Sequence, residues 1–542
     1  MGQVTSVDQL ADVQPTDWAY QALRSLIERY GVSVGYPNGL FRGNRAVSRY
    51  EFAAGLNALL DRITSSITQR LTTQVSGADL VTLQKLQAEF GEELAALRTR
   101  VDDIEARSAE LEANQFSTTT RLTGQAIIAF NDGIQGGAED PGTILFSRLR
   151  LNLESSFTGA DALLAQIEVG SSGPNGDAAS FLQREDGSFR EALSDAGDRL
   201  TDQALRQTGS TLDQTPDLRL NNQDSLDNLT NRLATNLQSI ALSQGRSPTE
   251  AQRVFDTTVE TVNTARGING FLQTNSALDY SGRDGTSFLN RLSYSFSPFP
   301  DANVSLFARG YASDYVDFNR FANNSGLNFS TYGLINNQLL LANDPPGAGA
   351  AFRWTPNRGF FTLRAVYRAE QAAIATRPAN VGNQSGLFGD PYLGIIELGL
   401  APFKNFNINL QYSRGAQGDN EYEVFGTNVA WKVNRQIGLF GRFGYATNFP
   451  GGIQPSAWSM GVTVSDLLIP GTVLGVGVGQ PLIFQESILG LFNRTQTNYE
   501  LFYNLPLSDG ISVSPALQLI TDPGNQSRNA IFTATLRTVF SF

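Results

Sequence analysis

The sequence predicts a mainly β chain: a transmembrane antiparallel β-barrel of about sixteen strands, preceded by a parallel coiled coil and a small α-helical module. Three observations predict it. From about residue 120 to the end, apolar and polar side chains alternate with period two. The connections between the alternating segments are short and long in turn. Before them, the stretch 61–115 is nearly free of Pro and Gly and repeats apolar residues every seven positions.

The 542-residue chain has room for more than one domain. Its net charge of -12 and pI near 4.8 argue against nucleic acid as a partner, because phosphate binding needs a basic face. It has no cysteine, hence no disulfide framework or thiolate metal site. It has no histidine either, which removes Ser–His–Asp triads, Cys–His pairs and His-ligated zinc together. No convincing carboxylate pair stands in their place, so no enzyme, metal or cofactor is expected. The opening "MGQVTSV" carries no secretory leader, as expected of a mature or engineered start. No run approaches the length of a membrane helix, so a membrane could be crossed only by a closed barrel.

The first domain, 1–60, reads as helix, loop, helix. Asp17 caps a helix whose apolar stripe is Trp18, Ala22, Leu23, Leu26 and Ile27. Pro37-Asn38-Gly39 supplies turn chemistry, and Ser48 with Glu51 forms a capping box for the second helix. The second domain, 61–115, places Leu80, Leu83, Phe90, Leu94, Leu97, Val101, Ile104 and Leu111 on a and d positions of a heptad. With residue 90 as d, the flanking pairs Glu93–Arg98, Arg100–Glu105 and Arg107–Glu112 are all opposite in charge, as a parallel coiled coil requires. An oligomer follows; the mixed a and d residues leave dimer or trimer open.

The third domain, 116–542, carries the alternation. "FSRLRLNLESSF" sets Arg148, Arg150, Asn152 and Glu154 against Leu149, Leu151 and Leu153. "FFTLRAVYRAE" sets Arg364 and Arg368 against Phe361, Leu363 and Tyr367. The last strand sets Thr533, Thr535, Arg537 and Val539 against Phe532, Leu536, Phe540 and the terminal Phe542. Tight connections such as "SPFPDA", "TPNRG" and "APFKN" alternate with long Gly/Asn-rich ones, the layout of periplasmic turns and outer loops. A soluble sandwich or propeller would instead need a packed apolar interior.

One segment breaks the pattern. Residues 172–286, between the third and fourth strands, are polar, acidic and helical in pattern. By strand parity they begin outside, and they either cover the mouth or fold into the lumen. Arg148, Arg150, Arg309, Arg364, Arg368, Arg414, Arg442 and Arg537 are the candidate pore-lining residues, expected to bias a water-filled pore toward small anions. The plainer reading is that they only solvate the lumen and pair with the acidic insertion. A sugar-specific channel would need an aromatic ladder, and most strand aromatics fall on the outward parity.

Asp17-Trp18-Ala19, Gly35-Tyr36-Pro37-Asn38-Gly39, Phe41-Arg42 and Ser48-Arg49-Tyr50-Glu51-Phe52 resemble an S-layer homology domain. That resemblance implies binding to peptidoglycan or a linked wall polymer, with Trp18, Arg42 and Arg49 as contacts. The plainer reading makes Trp18 and Phe41 core residues, and Arg49 could equally be a helix clamp. The order of module, coiled coil and barrel resembles cyanobacterial outer-membrane porins, whose barrel is grouped with carbohydrate-selective porins. The resemblance implies a homotrimeric passive channel for small hydrophilic solutes and inorganic ions, tied to peptidoglycan, with its N-terminal region in the periplasm. A structural tether with a plugged barrel, or a sugar-selective porin, are the alternatives. The ending on Phe542 resembles the signal by which the barrel assembly machinery recognises outer-membrane proteins.

Overall fold

The computed structural model describes residues 120–542, apart from 138–141, 172–176, 185, 282–287, 343, 374–385, 389–390, 418–419, 450–451 and 485–487, and ten positions between 8 and 40. The chain forms two compact units, Met1–Gln115 and Phe116–Phe542. In the first, Tyr20, Gln21, Arg24, Ser25 and Glu28 are helical, and Arg24 pairs with Glu28 one turn on at 3.0 Å. Trp18, Arg42, Arg49 and all the heptad positions lie outside the described residues.

The second unit is a closed barrel of sixteen antiparallel strands, each paired with its neighbours in sequence and the first with the last. Strand β1 is Thr120–Gln135, β2 Ile144–Ser155, β3 Ala162–Gly170, β4 Phe288–Phe296 and β5 Ala302–Gly310. The even count brings both ends of the barrel domain to the side of the short turns. Period-two alternation dictates the two faces. On β16 (Ile531–Ser541), Phe532 and Leu536 are exposed outward while Thr533, Thr535 and Arg537 are buried inward. Closure leaves no edge strand, so each strand is paired on both sides, as a chain crossing a hydrocarbon layer would require.

The seam between β1 and β16 depends on the end of the chain. The Gly124 amide donates to the Phe542 carbonyl at 2.7 Å, and the Phe542 amide donates back at 3.1 Å. The Phe542 ring lies where a Cβ on Gly124 would stand, so only glycine admits it. Gly124→Leu is therefore expected to lower the fraction of heat-modifiable, folded barrel on a semi-native gel. Full folding of that variant would show that the ring can find another seat.

A turn at the same end is held by one carboxylate. Asp161 accepts from the amides of Thr158 at 2.8 Å and Phe157 at 3.0 Å, and from the Tyr294 hydroxyl at 2.8 Å. These donors, the Thr158 amide foremost, hold its carboxyl well below the usual carboxylate range.

Among its described residues the segment between β3 and β4 forms four α-helices: α1 (Ala178–Arg184), α2 (Asp186–Arg206), α3 (Leu226–Ser243) and α4 (Pro248–Ser276). Ser225 caps α3, while Ser247 and Glu250 form a capping box on α4. Leu193, Leu229, Leu233 and Val262, all fully buried, join α2, α3 and α4 into one apolar core. The two ends of the segment meet: Asp177 accepts from the Leu278 amide at 3.1 Å and from the Ser281 hydroxyl.

Candidate functional site

The site is the barrel lumen and the two external segments that enter it. Residues 311–346, between β5 and β6 (Gly347–Trp354), turn inward rather than staying outside. Asp317 is their anchor. Its carboxylate takes the Arg442 Nε at 3.0 Å, the Asn337 amide at 2.7 Å, Gln411 at 3.0 Å and Asn428 at 2.6 Å. Arg442, on β11 (Ile437–Thr447), also donates to the carbonyls of Leu334 and Ala322, both at 3.1 Å. This pair is fully buried, and its hydrogen bonds are what make such burial tolerable.

The end of α4 comes down to meet this loop. Ser276 receives Gln496 on its hydroxyl and Gln518 on its carbonyl, both at 2.9 Å. The Asp279 amide donates to the Ser330 carbonyl and the Tyr332 amide to the Ala277 carbonyl, each at 2.9 Å, so the two segments pair like a short piece of sheet. Glu500, on β14 (Thr497–Ser508), fixes the junction by accepting from the amides of Ser330 and Thr331 at 2.8 Å. The result is a braced throat. Above it a cavity of about 1370 Å³ runs along α4, lined in part by Arg150, Arg291, Tyr311, Tyr332, Asp344 and Tyr422. Burial pushes the Asp344 carboxyl up, against the pull of the Arg368 guanidinium.

The arginines singled out from the sequence divide three ways. Six face inward and are engaged. Arg148 pairs with Asp279 at 2.7 Å, Arg150 with Glu168, and Arg364 with Glu397 at 2.7 Å. Arg368 donates to the Pro345 carbonyl at 2.7 Å beside Asp344, Arg442 holds Asp317, and Arg537 donates to the carbonyls of Ser325 and Asn328. Arg414 is a correction. It lies on β9 (Phe406–Gln417) with Leu410 and Tyr412 on the outward face, 52% exposed and paired with Glu421, while Asn409, Gln411 and Ser413 point inward. Its charge suggested water; the parity of its strand decides for the outer surface. Arg309 sits at a register break between Phe307 and Gly310, opposite Leu292, with its guanidinium 5.9 Å from the Phe288 ring centre. The bulge cancels the alternation that grouped it with the others.

Several site residues escaped the sequence reading. Arg291, paired with Asp314 at 2.8 Å, carried a signal in its alternation with Ser293 and Ser295. Glu397 and Glu500 were lone carboxylates in apolar strands. Asp279, Asp317, Asp344, Tyr311 and Tyr332 lie on connecting segments, where no periodicity announces them.

A closed sixteen-strand barrel with an apolar outside, a polar, charged inside and an inturned loop defines the class: an outer-membrane channel of the porin type. The carbohydrate-selective porin, OprB family, matches residues 78–185 and 222–542, and the chain belongs to that family. The S-layer homology domain matches 9–53. The chain is 35% identical over 558 residues to an uncharacterised protein of Nostoc sp. PCC 7120, spanning 100% of this chain and 86% of that one. It is 38% identical over 102 residues to the outer membrane protein SlpA of Deinococcus radiodurans, spanning 19% of this chain and 8% of SlpA. Pseudomonas putida OprB shares the fold, with a TM-score of 0.51 at 12% identity over 81% of this chain and 97% of that one. The protein is an outer-membrane porin with an N-terminal periplasmic region.

Proposed function

We propose that this porin is a passive diffusion channel for small hydrophilic solutes and inorganic ions, assembled as a homotrimer and tied to the cell wall. The observation that carries the channel reading is the cavity of about 1370 Å³ inside a closed barrel, lined by charged and polar side chains that include Arg150, Arg291, Asp279 and Asp344. Arg148, Arg150, Arg364, Arg368, Arg442 and Arg537 line or brace the path; Arg414 is excluded by its outward position. Planar-bilayer recording on the purified full chain tests the reading: step conductance without an energy source is expected. A bilayer that stays silent would leave a plugged structural anchor.

A sugar-selective path is favoured by one observation. Tyr311, Tyr332, Tyr422 and Phe449 line the cavity, and aromatic faces suit sugar rings. Liposome swelling with sugars of graded size, against anions of equal size, separates the two readings.

The tether rests on the S-layer homology match over 9–53, which includes Trp18, Arg42 and Arg49. Three modules gathered by a trimeric coiled coil over 61–115 would bind multivalently, and avidity can exceed single-site affinity by roughly 10²–10⁴. In a cell-wall pull-down, 1–115 is expected to bind more firmly than 1–60, and Arg49→Ala in 1–115 to lose most of the binding. Equal retention of 1–60 and 1–115 would make avidity irrelevant; normal binding by Arg49→Ala would remove that residue's role. Phe542 is the expected handle for the barrel assembly machinery.

A further inference from the structure

We propose that anion selection occurs at the periplasmic end of the lumen, where Arg320 and Lys404 line a cavity for a small oxyanion and Arg353 adds a third positive charge at the same end; this rests on the channel reading above. The geometry points there because the inward arginines named from the sequence are already engaged. Arg148, Arg150, Arg364 and Arg442 are neutralised by carboxylates, and Arg537 is spent on backbone carbonyls. A paired cation presents little net charge to a passing ion.

Arg353 is different. It is on β6 with the parity of buried Ala351, and its register neighbours are Asn303 on β5 and Arg364 on β7 (Phe361–Ala369). Two guanidinium-bearing residues thus stand opposite each other across a strand pair. Arg364 has Glu397; among the described residues no carboxylate lies within ion-pair distance of Arg353, and its side chain is exposed at the short-turn end.

Arg320 reaches the same end from the inturned loop. The Phe318 ring packs against the Arg364 guanidinium, 5.5 Å from its centre, and Asn319 donates to Asn428 at 2.7 Å and to the Val429 carbonyl at 2.9 Å. Arg320 follows directly, exposed, over the Phe321 ring at 5.4 Å and again without a carboxylate partner among the described residues. It lines a cavity of about 430 Å³ together with Lys404, from the turn between β8 (Tyr392–Phe403) and β9.

Among the described residues none of the carboxylates of this end forms an ion pair with the three cations. Glu154 stands in register with Arg121, Asp161 holds its own turn, and Asp301 accepts from the Asn357 amide at 2.9 Å. Asp466 accepts from the Gly471 amide at 2.7 Å, Asp509 sits on the turn at 509–510, and Glu397 is shared by Arg364, Gln411 and the Asp317 amide. Guanidinium forks match phosphate and carboxylate oxygens.

Inorganic phosphate is the probe. In equilibrium dialysis with the detergent-solubilised full chain, Arg320→Gln/Arg353→Gln is expected to lose most of the phosphate binding, and Arg414→Gln none of it. In bilayers under a salt gradient near about 0.1 M, the double variant should lower the chloride-to-potassium permeability ratio about twofold or more, less at high salt. The charge-neutral Arg364→Gln/Glu397→Gln should shift it less. Unchanged phosphate binding and unchanged selectivity in the double variant would overturn the site. A larger shift from the neutral pair would return selection to the engaged arginines. Displacement of phosphate by phosphatidylglycerol micelles would reassign the cations to lipid headgroups. Phosphate binding by a wild-type chain that never conducts would leave the site standing and remove the channel reading.

Discussion

Asp317→Ala is expected to be among the most damaging single substitutions in the barrel. It leaves the Arg442 guanidinium, 1% exposed, with no carboxylate, and withdraws acceptors from Gln411, Asn428 and the Asn337 amide. Breaking one side of a buried ion pair costs on the order of 3–5 kcal/mol. The loss falls mostly on the inturned loop, because the strands keep their own ladders. Thermal unfolding in detergent should therefore begin at a lower temperature, and channel current should become larger and noisier as the loop leaves the lumen. Replacing both partners, as Asp317→Leu/Arg442→Met, should recover part of the thermal loss. An Asp317→Ala barrel as stable and as quiet as wild type would show that the loop is held elsewhere.

The second large effect is expected from shortening the helical insertion, and its size should depend on where the cut ends. Deleting 180–265 removes most of the helical core but keeps the end of α4, Asp279 on Arg148 and the pairing with Ser330 and Tyr332. Entry should become easier while the throat stays. Deleting 178–281 takes the throat's second half as well and leaves Arg148 unpaired, so conductance should rise severalfold above the first deletion. Single-channel recording of both variants, with barrel folding checked by heat modifiability, measures this. Equal conductance of the two deletions would mean that the inturned loop alone sets the constriction.

The barrel was legible because an outer face for lipid and an inner face turned from it impose period two along the strands, interrupted only locally where a bulge shifts the register. The last strand shows this, with Phe532 and Leu536 out and Thr533, Thr535 and Arg537 in, while Val539 is an apolar side chain on the inward face. Arg414 was misread because charge was weighed above parity; Leu410 and Tyr412 already placed its face outward. Arg309 was misread because a bulge adds a residue without leaving a mark in the sequence. The throat was not legible. Asp279, Asp317, Ser330 and Tyr332 act through tertiary hydrogen bonds between segments distant in the chain, and such bonds have no period.

The clamp at Asp177 has a consequence for how this surface can change. One carboxylate ties the Leu278 amide and the Ser281 hydroxyl to the start of the insertion, so the two ends of the segment form a closed neck where it leaves and rejoins the barrel. Lengthening a loop beyond such a neck costs only about 0.6 kcal/mol per doubling. Whatever is spliced between 200 and 250 should leave strand assembly untouched. The helical crown is thereby an exchangeable cassette, a place where new receptors, decoys or reporter peptides can be mounted on the cell exterior while the machinery below is inherited unaltered.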